Sequence, residues 1–148
     1  MKFSKKSRYG LRALIDLSAN SKHEQVALNS IAERNQISPQ YLEQVFASLR
    51  KAGIVKSIKG SQGGYFLGRP AKEITVSSII EALEGDYRLE GEESSEGSRC
   101  PGSAKAIQKL VIDQVNDQLE EILNSVTLYD LEKEFQEYTD YGQNMYYI

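Results

Sequence analysis

Four side chains able to read or grip a nucleic acid stand within five residues of one another: Gln40, Tyr41, Glu43 and Gln44. Glutamine can pair with the edge of adenine, and glutamate can accept from the amino group of cytosine. Tyr41, with Ser38 just before it, can hold a phosphate oxygen. Ser38-Pro39 precedes them, and this pair starts a helix well: serine caps it, and proline suits the first helical position, where its missing N–H costs nothing. Leu42, Val45, Phe46 and Leu49 then form an apolar face, which leaves the polar four on the other side, in the first two turns. A solvated helix face has the same composition, so the chemistry has to be decided by what stands beside it.

Beside it stands a hairpin. Residues 54–59 read as a strand, 60–64 as a glycine-rich turn and 65–67 as the returning strand. Lys59 sits at the tip, Lys56 behind it and Gln62 within the turn, and the glycines let the turn approach a phosphate or enter a narrow minor groove. Lys2, Lys5 and Arg8 at the chain's start add cations for further phosphates.

The elements that must position these groups follow from periodicity. A first helix covers residues 5–19, with Leu11, Leu14, Ile15 and Ser18 at helical spacing. A short second helix begins near Asn29 and gives way at Asn35-Gln36. The third is the one capped by Ser38, and Gly53 ends it. After the hairpin, Thr75 caps a helix through Ile79, Ile80 and Leu83 that stops at Gly85. The expected fold class is therefore mainly α with a small β-hairpin wing: a winged helix-turn-helix domain over 1–85, whose second helix enters the major groove while the hairpin touches the neighbouring backbone or minor groove.

The remainder has a different character. Residues 86–102 are rich in glutamate, glycine and serine and read as a flexible acidic loop. A long helix over 103–126 carries Ile107, Val111, Val115, Leu119, Ile122 and Val126 as one apolar stripe. A small head has too little chain to bury that stripe, so pairing with a second copy, a homodimer through this helix, is the economical solution. Residues 127–148 read as a capped short helix, with Thr127 and Asp130 at its start, followed by an aromatic tail from Tyr138 to Ile148. Charge divides along the same line. Residues 1–80 hold 13 Lys+Arg against 5 Asp+Glu, and residues 81–148 hold 5 against 16, so the net −3 conceals a basic half and an acidic half.

Other chemistries lack their groups. One histidine, His23, and one cysteine, Cys100, fall in separate loops, with no nucleophile–base constellation and no phosphate-binding glycine loop of the required spacing. An enzyme is not expected, nor is a metal site. A single cysteine makes no internal disulfide and too few thiolates for a thiolate-only zinc site. No apolar run approaches the ~20 residues of a membrane span. The basic start lacks the apolar stretch of a signal peptide, so a cytoplasmic protein is expected. Cys100, with Arg99 beside it to favour the thiolate, is a possible redox-sensitive residue, and an idle loop cysteine is the alternative.

Several short motifs in fixed order carry a resemblance: Arg8-Tyr9-Gly10, Ser38 with Tyr41-Leu42-Glu43-Gln44, Lys59-Gly60, Gly63-Gly64-Tyr65, Leu83-Glu84-Gly85 and Thr127-Leu128. From Lys2 to about Leu131 the chain resembles the Rrf (Rrf-two) family of bacterial transcriptional regulators. The resemblance implies that Ser38, Gln40, Tyr41, Glu43 and Gln44 match the family's base-reading helix and that Lys59 matches a basic wing residue. Cluster-binding members carry three cysteines, each six positions after the last, and a further ligand. Aligned on Thr127-Leu128, those positions are Ser94, Cys100, Ala106 and, near the extra ligand, Lys109. One thiolate cannot hold a [2Fe–2S] centre, which needs four protein ligands, so no cofactor is expected.

The last residues, Tyr146-Tyr147-Ile148, resemble those of the family's cysteine-metabolism branch. That similarity implies a partner, O-acetylserine sulfhydrylase, whose amino-acid site would take the terminal isoleucine, with Tyr147 and Ile148 as the contacting residues. The expected function is a DNA-binding repressor of cysteine or sulfur genes that binds an inverted-repeat operator on double-stranded DNA. The alternatives are a protein-interaction module acting through its tail and a thiol-based sensor using Cys100.

Overall fold

A computed structural model describes residues 3–93 and 101–146 of the chain, with side chains through residue 142. Helix α1 (Lys5–Asn20) is capped by Ser4, whose hydroxyl accepts from Ser7 N–H at 3.3 Å. Its buried face, Ala13, Leu14 and Leu17, forms the floor of the core. Helix α2 (Leu28–Asn35) stops where Gln36 turns left-handed at φ 55°, and Ile37 N–H returns to the carbonyl of Ala32 at 2.9 Å. This tight reversal sets α3 (Pro39–Lys51) across α2, with Leu42, Val45, Phe46 and Leu49 fully buried. The apolar face expected from the spacing is the face that packs.

Between α1 and α2 lies a polar clamp. Asp16, 8% exposed, receives Arg34 Nε at 2.9 Å and Nη2 at 2.6 Å, with the Asn35 amide at 3.0 Å. The paired carboxylate holds the Arg34 guanidinium more firmly protonated than usual, chiefly through the hydrogen bond. A carboxylate this buried needs such partners.

Strands β1 (Val55–Ile58) and β2 (Gly64–Leu67) pair antiparallel, Val55 opposite Leu67 and Ile58 opposite Gly64. Val26 adds a rung on the other side of β2, exchanging backbone hydrogen bonds with Tyr65 at 3.0 and 2.8 Å. That approach requires Gly64, because a Cβ there would lie 2.6 Å from the Val26 carbonyl oxygen. Phe46 meets the Tyr65 ring edge-on at 4.8 Å and ties the hairpin to α3.

A 3₁₀ turn (Ala71–Glu73) leads to α4 (Val76–Glu84), capped by Thr75. The second half of the chain is a helical rod built from α5 (Pro101–Ile107), a π-turn (Gln108–Ile112) and α6 (Asp113–Ser125). Its apolar stripe divides. Leu119 and Val126 turn inward with Leu123 against Val76 and Ile80 of α4, while Ile107, Val111, Val115 and Ile122 remain exposed, with Leu110 the most exposed at 69%. Steps of four residues advance about 40° beyond a full turn each, so a stripe written that way winds from one face to the next.

The rod rejoins the head at a backbone bridge, where Val76 N–H meets the Val126 carbonyl at 2.9 Å and Leu128 N–H the Ile74 carbonyl at 2.8 Å. Thr127 and Asp130 then cap each other reciprocally, as the sequence predicts. Beyond this cap the chain differs from the expected short helix and tail. Helix α7 runs unbroken over Leu128–Tyr146 and packs on α1, with Leu128 fully buried and Glu132 meeting Lys22 at 2.8 Å. No proline interrupts it, and its aromatic residues are carried on helical turns. The acidic segment also differs from a free loop at its start. Tyr87 is buried, and Arg88, Leu89 and Glu92 are bonded to the rod.

Candidate nucleic-acid interface

Ser38, Gln40, Glu43 and Gln44 are exposed on the outer side of α3, with Tyr41 half-buried beside them. Ser38 does two structural jobs: its hydroxyl accepts from Tyr41 N–H at 3.4 Å and donates to Gln40 Oε1 at 3.0 Å. That bond takes one of the two lone pairs of the Gln40 carbonyl. Tyr41 is braced from behind by Tyr9, whose ring meets it edge-on at 5.8 Å, and Arg12 lies over Tyr9 at 5.6 Å. Tyr9 belongs to the motif Arg8-Tyr9-Gly10, but its contact with Tyr41 was not legible from spacing.

The wing stands next to this face. Lys56 points outward from β1, Lys59 is exposed at the tip, and Gly60 turns the chain at φ 123°. Gln62 is exposed, and its carbonyl is held by the Gln25 amide at 2.6 Å, which anchors the turn to the loop before α2. A groove of about 470 Å³ lies between α3 and the wing, lined by Glu43, Ala47 and Arg50 on one side and Gly60, Ser61 and Gly63 on the other. Arg50 is an exposed cation in that groove that the sequence reading passed over. Its signal was available: it lies seven residues after Glu43, two turns along the same face.

At the start of α1, Lys5 is exposed and Arg8 donates from Nε to the Phe3 carbonyl at 3.2 Å while covering the Phe3 ring. Lys6 reaches Ser48 of α3 at 3.3 Å. Lys2, Cys100, Tyr147 and Ile148 lie outside the described residues. His23 is exposed in the loop after α1. Among the described residues, no three of His, Cys, Asp and Glu stand close enough to hold a metal, and no helix is long and apolar enough to cross a membrane.

Helix, tight turn, capped helix and basic hairpin thus present one polar face, the arrangement by which a winged helix reads a major groove while its wing grips the flank. The comparisons agree. The Rrf2 family profile, described as an iron-dependent transcriptional regulator, matches residues 3–134. The chain is similar to the transcriptional regulator IscR of Pectobacterium atrosepticum, 37% identical over 134 residues, covering 88% of this chain and 79% of that protein. The structure of CymR, the global cysteine regulator of B. subtilis, superposes with a TM-score of 0.75 at 40% identity, over 90% of this chain and 98% of that one. IscR of T. potens gives a TM-score of 0.71 at 41% identity, over 93% and 90%. Family match, relatives and fold converge: the chain belongs to the Rrf2 family of DNA-binding transcriptional regulators and is not an enzyme.

Proposed function

We propose that the protein represses genes of cysteine or sulfur metabolism by binding an inverted-repeat operator as a homodimer, without an iron–sulfur cluster. The observation that carries DNA reading is the exposed set Gln40, Glu43 and Gln44 on α3 beside the cationic wing. Tyr41, Lys56, Lys59 and Arg50 supply phosphate contacts around it, with Lys5 and Arg8 at the edge. Support for the dimer comes from the rod, where Leu110 at 69%, Ile122 at 56% and Val111 at 51% exposure leave an apolar strip that water solvates poorly. The metabolic assignment rests on similarity to CymR, named as a global cysteine regulator.

A cluster does not fit the residues present. Of the four positions aligned with the family's ligands, Ala106 has no donor atom and Lys109 carries an ammonium. Only Cys100 brings a thiolate. Control then passes through a partner protein, an O-acetylserine sulfhydrylase engaging Tyr147 and Ile148, which follow directly on α7.

Selection of bound duplexes from random sequence tests the reading. An inverted repeat is expected, with affinity falling steeply as salt rises. Equal retention of all sequences overturns it. Repeating the selection with the sulfhydrylase present, and with a chain lacking Tyr147 and Ile148, tests the partner. Iron and sulfide analysis of protein purified without oxygen is expected to find neither.

A further inference from the structure

The head meets the rod at the backbone bridge around Thr75 and Thr127 and through one apolar contact. Val76 and Ile80 of α4 touch Leu119, Leu123 and Val126, and beside them a cavity of about 490 Å³ opens among Phe3, Ile80, Glu84, Tyr87 and Leu123. Side chains packed around a space of that size do not by themselves fix an angle. The segment after α4 lines that cavity with residues 86–90 and spans from head to rod with directed bonds.

Gly85 ends α4 at φ 81° and turns the chain toward the rod. Asp86 Oδ1 accepts from Arg88 N–H at 3.0 Å and from Arg88 Nη1 at 3.1 Å, and these bonds hold the Asp86 carboxyl below the usual carboxylate range. Tyr87 enters the second core cluster, 6% exposed, and its hydroxyl meets Ser77 Oγ of α4 at 3.0 Å. Arg88 lies over the Tyr87 ring at 4.8 Å, bonds Glu120 of α6 and reaches Glu81 of α4 at 3.4 Å. One guanidinium thus joins head and rod.

The next residue is held more specifically. Asn116 of α6 accepts from Leu89 N–H at 2.8 Å and donates to the Leu89 carbonyl at 3.1 Å. Its side-chain amide pairs with a peptide as a neighbouring strand would, and neither aspartate nor an aliphatic residue can make both bonds. Further along, Gln108 of the π-turn accepts from Glu92 N–H at 2.7 Å and donates to Asp113 at 2.8 Å. Asn116 lies on the inward face of the rod between Ile112 and Leu119, where an apolar residue would be the packing choice.

We infer that residues 86–92 form a strap, pinned by Asn116 and Arg88, that fixes the angle between reading head and rod and so sets the operator half-site spacing the dimer accepts. Asn116 and Arg88 are positioning residues for DNA reading; neither lies on the reading face. The inference rests on the dimeric reading above. Two heads joined by a rigid rod can engage both half-sites only at one separation and one helical phase, and a loosened strap spreads the heads over several.

The test compares binding of three duplexes: the selected inverted repeat, the same repeat with its spacer changed by two base pairs, and a lone half-site. Asn116→Ala is expected to bind the half-site as the wild type does and to lose preference for the selected spacing by roughly three- to tenfold. Asn124→Ala removes a bond to the Glu120 carbonyl within the same helix and is expected to keep the preference. Faster amide exchange at Leu89 in Asn116→Ala accompanies the loss. Should Asn116→Ala fail to fold, Arg88→Gln, at a position water already reaches, gives the same reading. A spacing preference that either folded variant keeps intact overturns the strap alone. A wild-type chain that holds a half-site as tightly as the inverted repeat overturns the dimeric reading, and the strap's role with it.

Discussion

The head and the rod solve the burial problem in opposite ways. In the head, α1, α2, α3 and the wing close over one core in which Leu14, Leu17, Ile31, Leu42, Phe46 and Leu49 are completely buried. In the rod, Ile112 and Leu123 are buried and Leu119 packs inward, while Ile107, Leu110, Val111, Val115 and Ile122 face outward. The head is finished within one chain, whereas the rod leaves an apolar strip exposed, the surface the proposed dimer would cover. The charges divide at the same place, so the basic region is also the self-sufficient one. DNA reading needs a rigid face, and assembly needs an incomplete one.

Substitution within the head gives the largest expected effect. Phe46→Ala removes a ring with no exposure that also meets Tyr65 edge-on, and a truncation of this kind costs about 3–5 kcal/mol. Denaturant unfolding is the measurement, and wing and recognition helix are expected to melt together, since that ring joins them. A loss below about 1 kcal/mol would show that the head is not a close-packed unit.

The rod supplies the contrasting result. Ile122→Asp places a charge on its exposed strip, and burying that charge at a subunit interface costs roughly 2–4 kcal/mol of association. Sedimentation is expected to give half the wild-type mass, with helix content and head stability retained. A fall in head stability as large as that from Phe46→Ala would erase the distinction between the two regions.

Legibility in the sequence followed the same division. Ser38-Pro39, the glycine turn and Thr75 each act within one turn of chain, so the helices of the head, the wing and the exposed polar side of α3 could be placed from residues alone. The rod's two faces could not. Leu119 and Val126 lie on the same written stripe as Val115 and Ile122, and only contact with α4 separates those that pack from those left exposed. Leu123 was passed over because it falls between the stripe's steps. Asn116 reads as one polar residue among many until Leu89, far along the chain, supplies its partner. The length of α7 was also missed. Its tyrosines suggested a tail, but the helix is anchored at its start by Leu128 in the core and Glu132 on Lys22 and continues from there with Tyr138 and Tyr141 exposed.

A smaller effect is expected at the clamp inside the head. Arg34→Met leaves Asp16 buried with only the Asn20 and Asn35 amides, a loss of about 1–3 kcal/mol, moderated because water reaches half of the Arg34 side chain. Chemical denaturation is expected to show reduced stability with the spacing preference on DNA unchanged. A changed preference would mean that the angle between head and rod is set within the head as well as at the strap.

The smallest effect belongs to the joint between the regions. Thr127 accepts from Asp130 N–H at 3.1 Å while its own N–H donates to Asp130 Oδ2 at 3.0 Å, and its neighbours pair with the chain around Thr75. Thr127→Ala removes the hydroxyl acceptor and leaves the backbone bridge, at a typical cost of about 1 kcal/mol, and Thr127→Ser should restore most of it. Where that loss appears is informative. Because α7 packs on α1 and starts at this cap, its amides are expected to exchange faster while those of α6 do not. Helix α7 then belongs energetically to the head, although its residues come after the rod in sequence. Equal acceleration in α6 and α7 would instead make the two helices one cooperative unit and move the boundary of the head to Glu84.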